Sequence, residues 1–153
     1  MNARWMRHIF NVYPPFVGAG IHVTKIAPDW RYVRVEMPLR FYNRNYVGTH
    51  FGGSLYVMTD PFLMIMAMKN LGPDYVVWDK SAEISFVSPG RGRVAAEFRL
   101  IEDDLRAMRE KTADGSRYLP AFAVEVRAED GTLVARVRKQ LFVRRKPTAG
   151  GQA

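Results

Sequence analysis

The sequence predicts an α+β fold in which a twisted antiparallel sheet wraps around one long apolar helix. Three observations carry that expectation. Apolar and polar residues alternate at period two over several separate stretches, as in Val33, Val35 and Met37 against Tyr32, Arg34 and Glu36, which is the pattern of half-buried strands. A nearly continuous apolar run, Leu55 to Met68, interrupted only by Asp60 and Pro61, sits among them; a helix apolar on nearly every side has to be enclosed by other structure. The chain has 153 residues, 48% hydrophobic and 25% charged, the size and composition of one globular domain that buries roughly 70% of its unfolded surface.

In chain order, Trp5, Met6, Ile9, Phe10 and Tyr13 recur at helical spacing, so a short amphipathic helix is expected over about 3–13, ended by Pro14–Pro15. A strand over Ile21–Ile26 and a second over Tyr32–Met37 flank the turn residues Ala27, Pro28 and Asp29. After the apolar helix, alternation returns in Ala82/Ile84/Phe86, Val94/Ala96/Phe98/Leu100, Phe122/Val124/Val126 and Leu133/Ala135/Val137. Asp130–Gly131 joins the last two as a hairpin, since both tolerate the positive φ of tight turns. EDDLRAMREKTADG, between Ile101 and Arg117, reads as a surface helix with acids in its first turn and Gly115 past its end. One domain over 1–145 and a disordered basic, glycine-rich tail over 146–153 follow.

There are no cysteines, which excludes disulfides, thiol catalysis and Cys-ligated metal and suits a cytoplasmic location. The N-terminal residues lack the apolar core of a secretory signal, and no stretch approaches the ~20 apolar residues of a membrane span. The net charge of +8 is spread from Arg4 to Lys146 and interleaved with acids, which speaks against nucleic acid as the partner. The one dense run, Arg136, Arg138, Lys139, Arg144, Arg145 and Lys146, reads as a solvated strand edge and tail.

Residues 43–62, NRNYVGTHFGGSLYVMTDPF, carry the chemistry. Gly48, Gly52 and Gly53 precede the helical run, where backbone can approach a ligand closely. The first N–H groups of a helix lack intrahelical partners and, with the helix dipole, favour negative charge, so a glycine N–H there suits a developing oxyanion. Asp60 lies two helical turns beyond Gly53 on a similar face if the helix is continuous. Two readings of Asp60 stand side by side: a carboxylate placed for chemistry, or the N-cap of a helix starting at Pro61.

This segment resembles the signature of hotdog-fold thioesterases related to the phenylacetate-pathway enzymes: Asn, two residues, Gly, two residues, His-Gly-Gly, then an acid seven positions on. Asn45, Gly48, Gly52, Gly53 and Asp60 match, whereas Phe51 stands where the family has His and His50 sits one place earlier. The wider pattern, YPPFVGAGIHV through VWDKSAEISFVSPGRG, resembles a branch of thioesterases over roughly residues 10–145. The resemblance implies a hotdog fold and hydrolysis of an acyl-CoA or acyl-carrier-protein thioester. Asp60 would act as general base or nucleophile and the Gly53 N–H would polarise the carbonyl, with Asn45 and His50 accessory to them. It also implies a homodimer or dimer of dimers with the site shared between subunits. Gly52, Phe51, Arg91 and Arg93 are then expected on the substrate side, the two arginines toward coenzyme A phosphates. No cofactor or metal is expected: His8 and His22 have no ligand-spaced partner, and Ser54, Ser81, Ser85 and Ser88 have no nucleophile-elbow context. The other class of function open to this sequence is a non-catalytic hotdog acyl-binding or assembly module.

Overall fold

The computed structural model describes residues 2–147; most of the expected disordered tail lies outside the described residues. The described elements are α1 (Ala3–Val12), α2 (Pro14–Ala19), β1 (His22–Ile26), β2 (Tyr32–Pro38), α3 (Gly52–Val57), α4 (Phe62–Leu71), β3 (Tyr75–Phe86), β4 (Arg93–Arg99), α5 (Glu102–Glu110), β5 (Arg117–Tyr118), β6 (Ala121–Ala128) and β7 (Leu133–Arg145). All strand pairs are antiparallel, in the order β1-β2-β4-β6-β7-β3, with β5 added to β7. In three strands the alternation seen in the sequence is the alternation of burial: Val33, Val35 and Met37 on β2, Val94, Ala96 and Phe98 on β4, and Val124 and Val126 on β6 all face one apolar core. On the edge strand β3, by contrast, the expected Ala82/Ile84/Phe86 row is not buried, Ala82 and Phe86 being exposed.

α4 fills that core. Phe62 sits with its ring centroid 5.2 Å from Phe10, 5.9 Å from Phe16 and 5.0 Å from Phe98, so α1, α2 and the sheet meet on one side chain. Fully burying such a ring contributes roughly 1.5–3 kcal/mol through the hydrophobic effect. The hairpin at Asp130–Gly131 forms as expected, with Gly131 at φ 87°, and α5 carries Asp104 bonded back to the Ile101 N–H at 3.1 Å.

The expected single long helix is instead two. α3 ends at Val57 and α4 begins after Pro61, because proline lacks the N–H that would continue the ladder and its ring clashes with the carbonyl four residues back. Thr59 Oγ1 secures the break by donating to the Tyr56 carbonyl at 2.8 Å. Asp60 therefore does not continue the face of Gly53 around an unbroken helix. Nor does it cap α4, whose N-cap position is Pro61 and which has no side-chain cap. The proline pair follows the end of α1 as expected but also opens a second, unexpected helix, α2, and the two-residue β5 is too short to show a period.

Candidate active site

The loop from β2 to α3 is held by two asparagines. Asn43 is buried, donating to the Ala19 and Pro38 carbonyls at 2.9 and 3.0 Å and accepting from the Arg40 N–H at 2.7 Å. Asn45 closes the next turn on itself: Nδ2 donates to Thr49 Oγ1 at 2.9 Å and to the His50 carbonyl at 3.3 Å, while Oδ1 accepts from the Thr49 N–H at 3.0 Å. Gly48, at φ 82°, takes the left-handed corner of that turn, which other residues adopt only with strain.

His50 is buried, and its Nε2 lies 2.9 Å from the Gly92 carbonyl. A carbonyl only accepts, so Nε2 carries the proton and the buried Nδ1 is left without a partner. Burial pushes the imidazole's ionisation below its ordinary value, and the Gly92 bond offsets this only in part. His50 thus anchors the loop to the turn before β4.

Phe51 leads into α3, its exposed ring packed back over the first turn. A Cβ at Gly53 would come 2.5 Å from the Phe51 ring, and one at Gly52 would come 2.8 Å from the ring of Phe86. Each glycine thus lies under an aromatic ring, and a side chain at either position would have to displace an exposed phenylalanine. No side chain caps α3, so its first amides, Gly52 and Gly53 among them, are free of intrahelical bonds. Beside them opens a cleft of about 500 Å³ lined by Asn45, His50, Gly52, Leu55, Phe86 and Arg91 among others.

Arg91 is exposed at this cleft. Arg93 is elsewhere: it pairs with Glu36 at 2.9 Å and Glu129 at 3.2 Å and lines a separate hollow with Arg34 and Glu97. Between the two, Gly92 takes the left-handed φ of 69°, which no extended strand has, and Arg93 at the start of β4 is engaged by its carboxylate partners, so the two arginines do not converge.

Asp60 does not line the cleft either. It sits past the other end of α3, its side chain about half exposed at 48%, and meets Lys139, expected only as one cation of the solvated basic run. Lys139 Nζ donates to the Asp60 backbone carbonyl and, at 3.2 Å, to Asp60 Oδ1, and lies 3.1 Å from Asp79 Oδ2. The Lys139 side chain is only 1% exposed, so the expected solvated basic run has one member pointing inward. Burial pushes the Asp79 carboxyl above the usual carboxylate range, with Lys139 opposing and the Asp60 charge adding. Tyr56, one turn before Asp60, is raised by burial and by the Asp60 carboxylate beside it.

The family model described as a domain of unknown function, DUF4442, matches residues 2–143. The chain belongs to the DUF4442 family. No curated protein matches it in sequence. Its fold is that of the hotdog thioesterases among solved structures. A probable thioesterase of unknown function from Pseudomonas aeruginosa superposes with a TM-score of 0.79 at 20% identity, over 93% of this chain and 95% of that one. A thioesterase from Haemophilus influenzae gives 0.68 at 13% identity, over 98% and 95%. A mutant of the phenylacetic acid degradation protein PaaI from Thermus thermophilus gives 0.59 at 26% identity, over 84% and 97%. The hotdog architecture expected of this DUF4442 member is thereby established, with its central helix in two pieces.

Proposed function

We propose that this protein is a thioesterase that hydrolyses an acyl-CoA or acyl-carrier-protein thioester without a cofactor, in a site shared by two copies of the chain. The observation that carries this reading is Asp60: a half-exposed carboxylate at a helix break, with Oδ1 held by Lys139 and Tyr56 beside it. In this mechanism Asp60 takes a proton from water as the water oxygen attacks the thioester carbon. The carbonyl oxygen becomes an oxyanion that accepts from the free Gly53 N–H, an interaction worth about 2.7–4 kcal/mol in comparable sites. The tetrahedral intermediate then collapses, the C–S bond breaks, and the proton passes from Asp60 to the departing thiolate.

Because Asp60 and the cleft at Gly52 belong to opposite ends of α3, the reading requires a second protomer, with Asp60 of one copy facing the partner's Gly53. β3 supports such pairing. It ends the sheet with one edge unpaired, and its Phe86 end is exposed next to α3, the arrangement that an added strand would cover. In this reading Asn45 shapes the oxyanion loop, Phe51, Gly52 and Arg91 contact the substrate, His50 holds the loop rather than the thioester, and the substrate places the reaction in the cytoplasm.

The test is thiol release across a series of acyl-CoA chain lengths and one acyl-carrier protein. Single turnover in ¹⁸O water tests the nucleophile role of Asp60: label in the Asp60 carboxylate shows an acyl–Asp60 anhydride opened by water at the aspartyl carbon, whereas the general-base route requires label in the fatty acid alone. The ring of Phe51, lying against Gly53 where the family has His, favours the second reading, a non-catalytic acyl-binding module. That reading predicts saturable acyl-CoA binding with no thiol released.

A further inference from the structure

The side chains that β7 turns inward are Ala135, Val137, Lys139, Leu141 and Val143, all buried. A lysine in that row is out of place unless its charge is answered, because an isolated ammonium is costly to take out of water. The groups facing it are Asp60 from the break between α3 and α4 and Asp79 from β3, with Tyr56 of α3 beside Asp60. Asp79 reaches the same side because it pairs with Leu141, two residues along from Lys139, at the irregularity in the β3–β7 ladder between Asp79 and Ser81. Three N–H bonds of the ammonium thus meet three acceptors: the Asp60 carbonyl, Asp60 Oδ1 and Asp79 Oδ2.

We infer that Lys139, braced by Asp79, is a positioning residue that fixes the Asp60 carboxylate for attack on the thioester. This rests on the thioesterase reading above and adds to it the device that aims the base. The hold is at two points of one residue. A counter-ion needed only to neutralise Asp60 would require the carboxylate contact alone. The additional bond to the Asp60 carbonyl fixes the main chain where Pro61 has interrupted the helical ladder, so main chain and side chain are set together. Asp79 does the same for the ammonium: it reaches Lys139 from the strand next to β7 and keeps its own Oδ1 buried and unpartnered. Lys139 touches no reacting atom in this scheme and acts through Asp60.

Removing Lys139 alone would leave two carboxylates facing each other, so the deciding variant is Lys139→Met combined with Asp79→Asn, which removes one charge of each sign. Positioning predicts a folded protein whose KM for the best acyl-CoA stays within about threefold while kcat falls by about 10²-fold, the size of loss that misplacing a reacting group by an ångström produces. A role confined to holding the fold predicts instead that, once the melting midpoint matches wild type, kcat does too. That result would overturn the inference. Lys139→Arg is the second variant, should the double one not fold. It keeps the charge but moves the donors, so kcat should drop by about tenfold at unchanged KM; unchanged kcat would equally overturn it. Wild type that releases no thiol from any acyl-CoA or acyl-carrier protein would sink the thioesterase reading and this inference with it. Active wild type with unaffected variants sinks this inference alone.

Discussion

The His50 imidazole donates from Nε2 to the Gly92 carbonyl at 2.9 Å, tying the glycine-rich loop to the turn that opens β4. Burial holds the ring's ionisation below its ordinary value, so the unfolded chain binds this proton more readily than the folded one. Stability from this group is complete above the unfolded value of about 6.5 and is lost as pH falls toward and through the depressed folded value. Chemical denaturation between pH 7.5 and 5 should show this loss, and His50→Gln, which lacks a titrating ring, should reduce the slope. The same variant should keep kcat within about tenfold of wild type, below the 10²-fold or more expected for a group that transfers a proton.

Asp60→Asn keeps the size of the side chain and removes the base. Its kcat should fall by about 10²–10⁴-fold, with a small change in melting midpoint because the Lys139 bond to the Asp60 backbone carbonyl survives the substitution. Near-normal turnover in Asp60→Asn would exclude Asp60 from the chemistry.

Arg91 and Arg93, two residues apart in sequence, should behave differently. Arg91→Ala is expected to raise KM for acyl-CoA about tenfold with kcat little changed, as for one charge-assisted phosphate contact made equally in ground and transition states. Arg93→Ala, whose side chain is engaged by Glu36 and Glu129, should leave both constants near wild type. Equal effects in the two variants, measured at low and high ionic strength, would refute the assignment of Arg91 to the cleft's ligand.

Asp79 gives a pH dependence of the opposite sense to His50. Its carboxyl is raised by burial, so the folded state binds the proton more tightly than the unfolded one. Its contribution is most favourable below about 3.9 and declines as pH rises through the raised value. Asp79→Asn, which cannot ionise, should therefore gain stability relative to wild type as pH rises from about 4 to 7. A flat difference across that range would show that Lys139 fully offsets the burial.

The sheet was legible because period-two alternation survives in β2, β4, β6 and the start of β7, and the Asp130–Gly131 turn fixes the last hairpin. The glycine-rich loop was legible from its motif. What was not legible depends on contacts between distant residues. Pro61 signalled a helix boundary, yet only the packing of Phe62 against Phe10, Phe16 and Phe98 shows where the second helix sits. Arg93 looked equivalent to Arg91 until Glu36, fifty-seven positions away, claimed it. Lys139 was read as one more cation in a basic run. Its parity held the missing signal: continuing the phase of Ala135 and Val137 toward Leu141 and Val143 places Lys139 on the apolar side. The carboxylates that justify it lie 79 positions away in the case of Asp60, and at an irregular ladder position in the case of Asp79.

β7 pairs with β6, β5 and β3, and β3 has no other partner in the described sheet. It is also the last of the seven strands to be synthesised. As the chain emerges from a ribosome at about 5–20 residues per second, β1, β2 and β4 can join early, whereas β3 must wait through the synthesis of everything up to β7 with both of its edges bare. Until then Asp60 and Asp79 are also without their cation. The nascent chain therefore passes through a window of several seconds in which a long, unpaired strand is open to wrong partners, and arrest of translation just before Leu133 is where chaperone binding should be greatest.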